Sequence, residues 1–175
     1  MLKGTFSAYT VPTDDDMCVG FIITKINDKL AVYANTSTLS EEKAVKQLQE
    51  YMSGIQVQNT GVPEELVDWA RKISLILNGI DQDTSNIPLD LQGYTTKQKA
   101  VIKAACQLIP VNEYFSYGRV AELAGLPAAH RFVGTTMRIC RQPWIIPCQR
   151  IKNSQFIRKL KKEKVTPAMR RQEPL

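Results

Sequence analysis

Cys148 is the residue of this sequence that is best placed to do chemistry. It follows Trp144-Ile145-Ile146, an apolar run that predicts a buried strand, and then Pro147. A thiolate is a soft nucleophile, but a free cysteine has a pKa of about 8.5 and is only slightly ionised at neutral pH. The other cysteines, at positions 18, 106 and 140, form no Cys-x-x-Cys pair, and the chain has one histidine. Neither a zinc site nor a disulfide framework is therefore expected.

A short helix is predicted upstream of this cysteine, over Tyr117–Ala124. Val120, Leu123 and Ala124 have the spacing of one helical face. Gly125-Leu126 predicts a tight turn after it.

A second helix is predicted to begin at Pro127, because proline loses nothing at the first helical position. In this helix Phe132, Val133 and Met137 should face the hydrophobic core. Arg131 and Arg138 should face away from it. Two short helices joined by a Gly-containing turn, the second presenting arginines, are typical of a helix-turn-helix. That motif alone indicates a transcription factor. A cysteine placed a few residues beyond it indicates chemistry on DNA.

In these segments the chain resembles the methylated-DNA–protein-cysteine methyltransferases, also called alkylguanine-DNA alkyltransferases. The resemblance covers about residues 88–151. The family's Pro-Cys-His-Arg is Pro-Cys-Gln-Arg here. The matched residues are Pro88-Leu-Asp-Leu-Gln-Gly93, Ile109-Pro110, Ser116-Tyr117-Gly118, Ala124-Gly125, Pro127, Arg131, Val133-Gly134, Met137-Arg138, Pro143 and Ile145-Ile146-Pro147-Cys148.

The resemblance implies a DNA repair activity. Such proteins flip an alkylated guanine out of duplex DNA and move the alkyl group to their own cysteine, in one irreversible turnover without a cofactor. By position, Cys148 is the acceptor, Arg131 fills the gap in the base stack, and Tyr117 displaces the phosphate of the lesion. The other implied roles are close approach to the minor groove (Ala128, Ala129), phosphate binding (Arg138), lining of the base pocket (Met137, Pro147) and support of the cysteine (Gln149, Arg150).

The sequence departs from the family around its cysteine. Gln149 replaces the activating histidine and cannot accept a proton, and Cys140 stands where the family has asparagine. Lys152–Lys164 replaces the Gly- and Tyr-rich loop that closes over the guanine, and His130 has no matching role in the family. Two alternatives therefore stay open. The protein could bind the lesion without removing the alkyl group, or it could be a helix-turn-helix regulator.

Composition agrees with a soluble DNA-binding protein. Hydrophobic residues make up 43% and charged residues 23% of 175 residues, and the net charge is +6. Residues 150–175 contain nine Lys or Arg and two Glu, a net charge of +7, which leaves about −1 for the remainder. This basic end predicts a contact with the DNA backbone or a solvated tail. No segment resembles a signal peptide or a membrane span, so an intracellular monomer without a metal is expected.

The predicted fold class is α+β, in two domains. Residues 1–87 should form a small scaffold of strands and helices, with a hairpin turn at Asn27-Asp28 and helices starting near Ser40 and Pro63. Residues 88–175 should form a helical, winged-helix-like domain that binds DNA and accepts the alkyl group. Gly79–Ser85, which is polar and lacks periodicity, is the predicted connection.

Overall fold

The computed structural model describes residues 1–108 and 112–167. The chain forms two compact units, each built from two segments. The first contains residues 1–74 and 86–93, and the second contains residues 75–85 and those from 94 onward. The α+β class predicted from the sequence is confirmed, with a sheet in the first unit and mainly helices in the second. The predicted match at Ile109-Pro110 lies outside the described residues.

The first unit is a four-stranded sheet with two helices. The strand order is β3-β2-β1-β4, in which β1 to β3 are antiparallel and β4 is parallel to β1. The predicted turn is present at Asn27 and Asp28, which both have positive φ, a conformation that Asn and Asp tolerate. The elements are β1 (Ser7–Pro12), β2 (Cys18–Ile26), β3 (Lys29–Thr38), α1 (Glu41–Tyr51), β4 (Val57–Gln58) and α2 (Glu64–Leu77).

Residues 86–93 belong to the first unit, although the sequence places residues from 88 onward in the second domain. The backbone of β3 explains the difference, since Val32 donates to the Pro88 carbonyl and accepts from the Asp90 N–H, at 2.8 and 2.9 Å. The buried Asp90 carboxylate also accepts a hydrogen bond from the Thr24 hydroxyl at 2.8 Å. These bonds fix the segment against the sheet before the chain returns to the second unit.

The second unit is helical, with one pair of very short strands. The strands β5 and β6 pair in parallel, with Phe115 opposite Ile151 and Ser116 opposite Lys152. Its elements are α3 (Thr96–Ala105), β5 (Phe115–Ser116), α4 (Tyr117–Leu123), α5 (His130–Arg138), a 3-10 turn (Cys148–Arg150), β6 (Ile151–Lys152) and α6 (Ser154–Lys162).

The helix pair predicted from the sequence is present as α4 and α5, which pack against each other. Its second helix begins at His130 rather than at Pro127. Ala128 has φ of 67°, a left-handed conformation that cannot continue a helix, so residues 127–129 form a turn. The start predicted from Pro127 was therefore wrong by three residues.

The buried strand predicted at Trp144-Ile145-Ile146 is also wrong. Trp144 has φ of 74°, and the Ile146 N–H donates to the Gln142 carbonyl at 2.9 Å, which closes a turn. Ile145 and Ile146 are nevertheless buried, as the apolar run indicated. Their burial anchors the turn that carries Pro147 and Cys148.

Among the described residues, no helix is both long and apolar enough to cross a membrane.

Candidate functional site

Cys148 begins the 3-10 turn that follows the buried isoleucines. Its N–H donates to the Ile146 carbonyl at 2.8 Å, and the side chain is half-buried behind the buried Pro147. The Cys148 thiol is placed to donate to Gln149 Oε1 at 3.8 Å. A compact turn therefore holds this thiol in one position.

The pKa of Cys148 is lowered from its ordinary value. The main cause is a hydrogen bond from the thiol of Cys140, which stabilises the Cys148 thiolate. The positive charge of Lys152 and the backbone N–H groups of Cys148 and Gln149 act in the same direction, while burial opposes them. The pKa of Cys148 is thus lowered without an imidazole next to it.

Cys140 lies just after α5 and is the partner of Cys148. Its pKa is raised, first by the hydrogen bond to Cys148 and then by burial, so Cys140 keeps its proton at neutral pH. Its sulfur also lies 3.5 Å from the Thr136 carbonyl oxygen. Sequence reasoning noted Cys140 only as a departure from asparagine, because nothing in the spacing predicts the turn that brings the two thiols together.

Tyr94 borders the same cysteines. It is 6% exposed, and its hydroxyl accepts from the Arg141 N–H at 2.9 Å and lies 3.3 Å from Gln142 Oε1. Burial raises the pKa of Tyr94 to about 12. The Arg141 guanidinium carbon lies 4.3 Å from the centre of the ring. Tyr94 therefore stays neutral. It holds the segment that joins Cys140 to the 3-10 turn Cys148–Arg150.

Arg150 is the last residue of the 3-10 turn Cys148–Arg150, and its charged side chain is buried. Its guanidinium donates to the Leu108 carbonyl and lies 5.7 Å from the centre of the Phe115 ring. Burial lowers the pKa of Arg150 to about 10, and the charges of Asp81 and Glu113 oppose that shift. Arg150 remains charged at neutral pH and supports the turn from inside the unit.

Tyr117 begins α4 and is held by α5. A Cβ added at Gly134 would come within 3.0 Å of Cε2 of Tyr117, so the ring lies directly against this glycine. Ser116 caps α4 by accepting the Arg119 N–H at 3.1 Å. The phenol is consequently fixed at the start of the helix pair.

A cavity of about 320 Å³ opens beside Tyr117. It is lined by Tyr117, Gly118, His130, Asn153 and Ser154, which are the first residues of α4 and α5 and the start of α6. Helix N-termini present unpaired N–H groups that favour anions. No role was predicted for His130, Asn153 or Ser154, because the packing of three helix starts is a tertiary feature.

The remaining predicted site residues fall into two groups. Arg131, Arg138 and Ala128 are exposed and Ala129 is half-buried, so these side chains can meet a partner. Met137 is only 7% exposed, and it packs in the second unit. Lining of a base pocket by Met137 and Pro147 stays a prediction.

The segment that replaces the family's loop is α6, an amphipathic helix. Ile157 and Leu160 are buried, whereas Arg158, Lys159, Lys161 and Lys162 are exposed. Asn153 caps the helix by accepting the Phe156 N–H at 2.8 Å. Within residues 1–108 and 112–167, no group of three or more His, Cys, Asp or Glu side chains could hold a metal ion.

Gly134→Ala should reveal how closely Tyr117 is held. Alanine normally stabilises a helix by about 0.5–1 kcal/mol relative to glycine, but at position 134 its methyl group crowds the Tyr117 ring. We expect Gly134→Ala to gain less in free energy of unfolding than Gly118→Ala, where the nearest atom is 3.8 Å away. Urea unfolding measures both. Equal gains would contradict the close packing of this ring, and in a Tyr117→Ala background the two gains should converge.

Comparisons with known proteins were made for the sequence and for the fold. The sequence of residues 96–172 matches the family described as 6-O-methylguanine DNA methyltransferase, DNA binding domain. No curated protein is matched over the chain.

Solved structures share the fold over most of the chain. The OGT of Mycobacterium tuberculosis in complex with DNA is 18% identical, with a TM-score of 0.60 over 95% of this chain and 99% of that one. The O6-methylguanine-DNA methyltransferase of the hyperthermophilic archaeon Pyrococcus kodakaraensis is also 18% identical, with a TM-score of 0.60 over 86% and 87% of the two chains. Residues 96–172, which carry the helix pair and Cys148, thus match the DNA-binding domain of the 6-O-methylguanine DNA methyltransferase family.

Proposed function

We propose that this protein repairs alkylated DNA by moving a methyl or other alkyl group from a guanine oxygen to Cys148. The observation that carries the proposal is a nucleophile with a lowered pKa, held rigidly after a helix pair that presents arginines. The family match of residues 96–172 supports DNA as the partner. Arg131, Arg138, Ala128 and Ala129 are the proposed contacts on α5, and the protein acts as a monomer.

The transfer needs only groups of this chain and its substrate. The Cys148 thiolate attacks the alkyl carbon, so that a sulfur–carbon bond forms as the carbon–oxygen bond breaks. The electron pair stays on guanine, which takes up one proton in exchange for the proton that the thiol released. The product is a thioether that cannot ionise, so each molecule reacts once, and no cofactor is required.

In this proposal the base does not enter through the cavity beside Pro147 and Gln149. The cavity that lies behind the turn, next to Pro147 and Gln149, measures about 10 Å³, which holds one water molecule at most. A guanine flipped out of the duplex meets the Cys148 thiol from the other side of the turn, while Arg131 takes the place of the base in the stack. Tyr117, fixed against Gly134, displaces the phosphate.

Lesion binding without transfer is the main alternative, and it is suggested by Gln149 in place of histidine. The hydrogen bond from Cys140, the charge of Lys152 and two backbone N–H groups stabilise the thiolate in place of the histidine. Alkyl transfer to Cys148 is therefore better supported than lesion binding alone. A helix-turn-helix regulator that only binds DNA would not need a cysteine with a lowered pKa.

Cys148→Ser and Cys148→Ala should abolish alkyl transfer while leaving duplex binding nearly unchanged. Mixing the wild-type protein with a duplex containing O6-methylguanine should add one methyl group, which intact-protein mass measurement and peptide mapping place on Cys148. Cys106→Ser is the matched control and should still accept the methyl group. A methyl group on Cys140, or binding of the lesion without any mass change, would contradict the assignment.

Cys140→Ala should move the pH dependence of transfer to higher pH. Since the Cys140 thiol holds the pKa of Cys148 low, its loss leaves less thiolate at neutral pH. Single-turnover rates of the variant should fall well below wild type at pH 7 and approach it in alkali, where Cys148 is ionised in both proteins. Cys106→Ala is the control, because the pKa of Cys106 is raised to about 11 chiefly by burial. Superimposable profiles for Cys140→Ala and wild type would show that Cys140 does not activate Cys148.

Neutralising the exposed face of α6 should weaken binding to all duplex sequences alike. Replacing Arg158, Lys159, Lys161 and Lys162 by Gln keeps the buried Ile157 and Leu160, which truncation of the tail would remove. For each phosphate that these side chains neutralise, the substitution should make the slope of log affinity against log salt shallower by about 0.9. The matched control changes four exposed lysines of the first unit, Lys25, Lys29, Lys43 and Lys46, to Gln. An unchanged slope in the α6 variant would leave this face as a solvated surface.

A further inference from the structure

The connecting segment, residues 79–85, has no role in the proposed reaction, and its sequence predicted only a link between two domains. It belongs to the second unit, between two stretches of chain that belong to the first. Two hydrogen bonds shape it. The Asn112 side-chain amide donates to the Gly79 carbonyl at 2.9 Å, and the Asp83 carboxylate accepts the Ser85 N–H at 2.9 Å. The connecting segment therefore follows a defined path within the second unit.

Thr84 joins the connecting segment to the chain just before Cys148. Its half-buried side chain donates a hydrogen bond from the hydroxyl to the Ile145 carbonyl at 3.2 Å. Ile145 is buried and lies three residues before Cys148, in the turn that the Ile146 N–H closes. The Thr84 hydroxyl therefore fixes the backbone that leads directly into the 3-10 turn.

The connecting segment also meets the chain after Cys148. The negative charge of Asp81 acts on Arg150, whose pKa it raises against the effect of burial. The cavity of about 10 Å³ behind the 3-10 turn is lined by Thr84 from the connecting segment and by Gln149 from the turn. Because such a volume holds one water molecule at most, little free space separates the two. The connecting segment thus supports the turn on both sides of Cys148.

We propose that Thr84 is a positioning residue for Cys148. Its hydroxyl holds the Ile145 carbonyl, and with it the turn in which the Cys148 N–H is bonded to the Ile146 carbonyl at 2.8 Å. Attack on an alkyl carbon requires the sulfur to be aligned with the bond that breaks, so a small displacement of the turn slows the reaction. This role in the reaction rests on the proposed function, whereas the hold on the turn does not.

Three substitutions separate this role from general packing. Thr84→Val removes the hydroxyl and keeps the branched shape of the side chain, so the Ile145 carbonyl loses this donor. Thr84→Ser keeps the donor. Ser85→Ala is the matched control in the same segment, because Ser85 is exposed and its bond to Asp83 is made by the backbone N–H, which alanine retains.

Single-turnover methyl transfer from a duplex containing O6-methylguanine tests the role in the reaction. A hydrogen bond of ordinary net strength changes a population by a factor of about five. We therefore expect the rate of Thr84→Val at saturating duplex to fall roughly fivefold or more, with duplex affinity unchanged. Thr84→Ser and Ser85→Ala should react like wild type. An unchanged rate in Thr84→Val, an equal fall in Thr84→Ser, or a loss of duplex affinity in place of rate would overturn the proposal.

Amide hydrogen exchange of the full chain tests the hold on the turn without DNA. Thr84→Val should speed exchange of the Ile146 and Cys148 N–H groups. It should leave the N–H of Val133, which donates to the Ala129 carbonyl in α5 at 3.0 Å, nearly unchanged. Faster exchange confined to the connecting segment, or equal acceleration at Val133, would overturn the proposal.

Circular dichroism checks that each variant is folded, and Thr84→Ala repeats both measurements if Thr84→Val is not. A wild-type protein that takes no methyl group would refute the proposed repair function. The exchange of the Ile146 and Cys148 N–H groups would then still decide whether Thr84 holds the turn.

Discussion

The 3-10 turn Cys148–Arg150 depends on the interactions of the buried Arg150 guanidinium. It donates to the Leu108 carbonyl after α3 and lies over the ring of Phe115, so it joins three separate parts of the second unit. Moving a cation out of water is costly, and the lowered pKa of Arg150 records that cost. The hydrogen bond to Leu108 and the contact with Phe115 fix Arg150, and Cys148 lies two residues earlier in the same turn.

The parts of the fold that sequence patterns predicted are those governed by local rules. The turn at Asn27-Asp28, the cap at Ser40 and the helix from Tyr117 depend on side chains within a few positions of each other. The two errors have a common cause. Ala128 and Trp144 adopt left-handed backbone conformations that neither residue type favours, so the residue types alone do not predict them.

The candidate site was predictable in its central residue but not in its surroundings. The run of Ile, Ile and Pro indicated Cys148, and the family resemblance implied the roles of Arg131 and Tyr117. Nothing in the sequence indicated that Cys140, Tyr94 and Lys152 would converge on the thiol, because they come from different elements and meet only in the folded unit. For the same reason, the missing histidine left the activation of Cys148 open in the sequence, whereas in the structure other groups lower the pKa of Cys148.

The short β5–β6 pair closes a loop of the chain. It joins Ser116 to Lys152, so the helix pair and the 3-10 turn that contains Cys148 lie on one closed loop of 34 residues, 117–150. Closing a loop of that length costs roughly 3 kcal/mol in chain entropy, more than two strand residues can offset alone, so closure must be cooperative with the packing of the unit. An unfolded or half-folded chain carries the same four cysteines, but all of them titrate like ordinary thiols. The lowered pKa of Cys148 is therefore a property of the folded unit, because the groups that cause it come together only there.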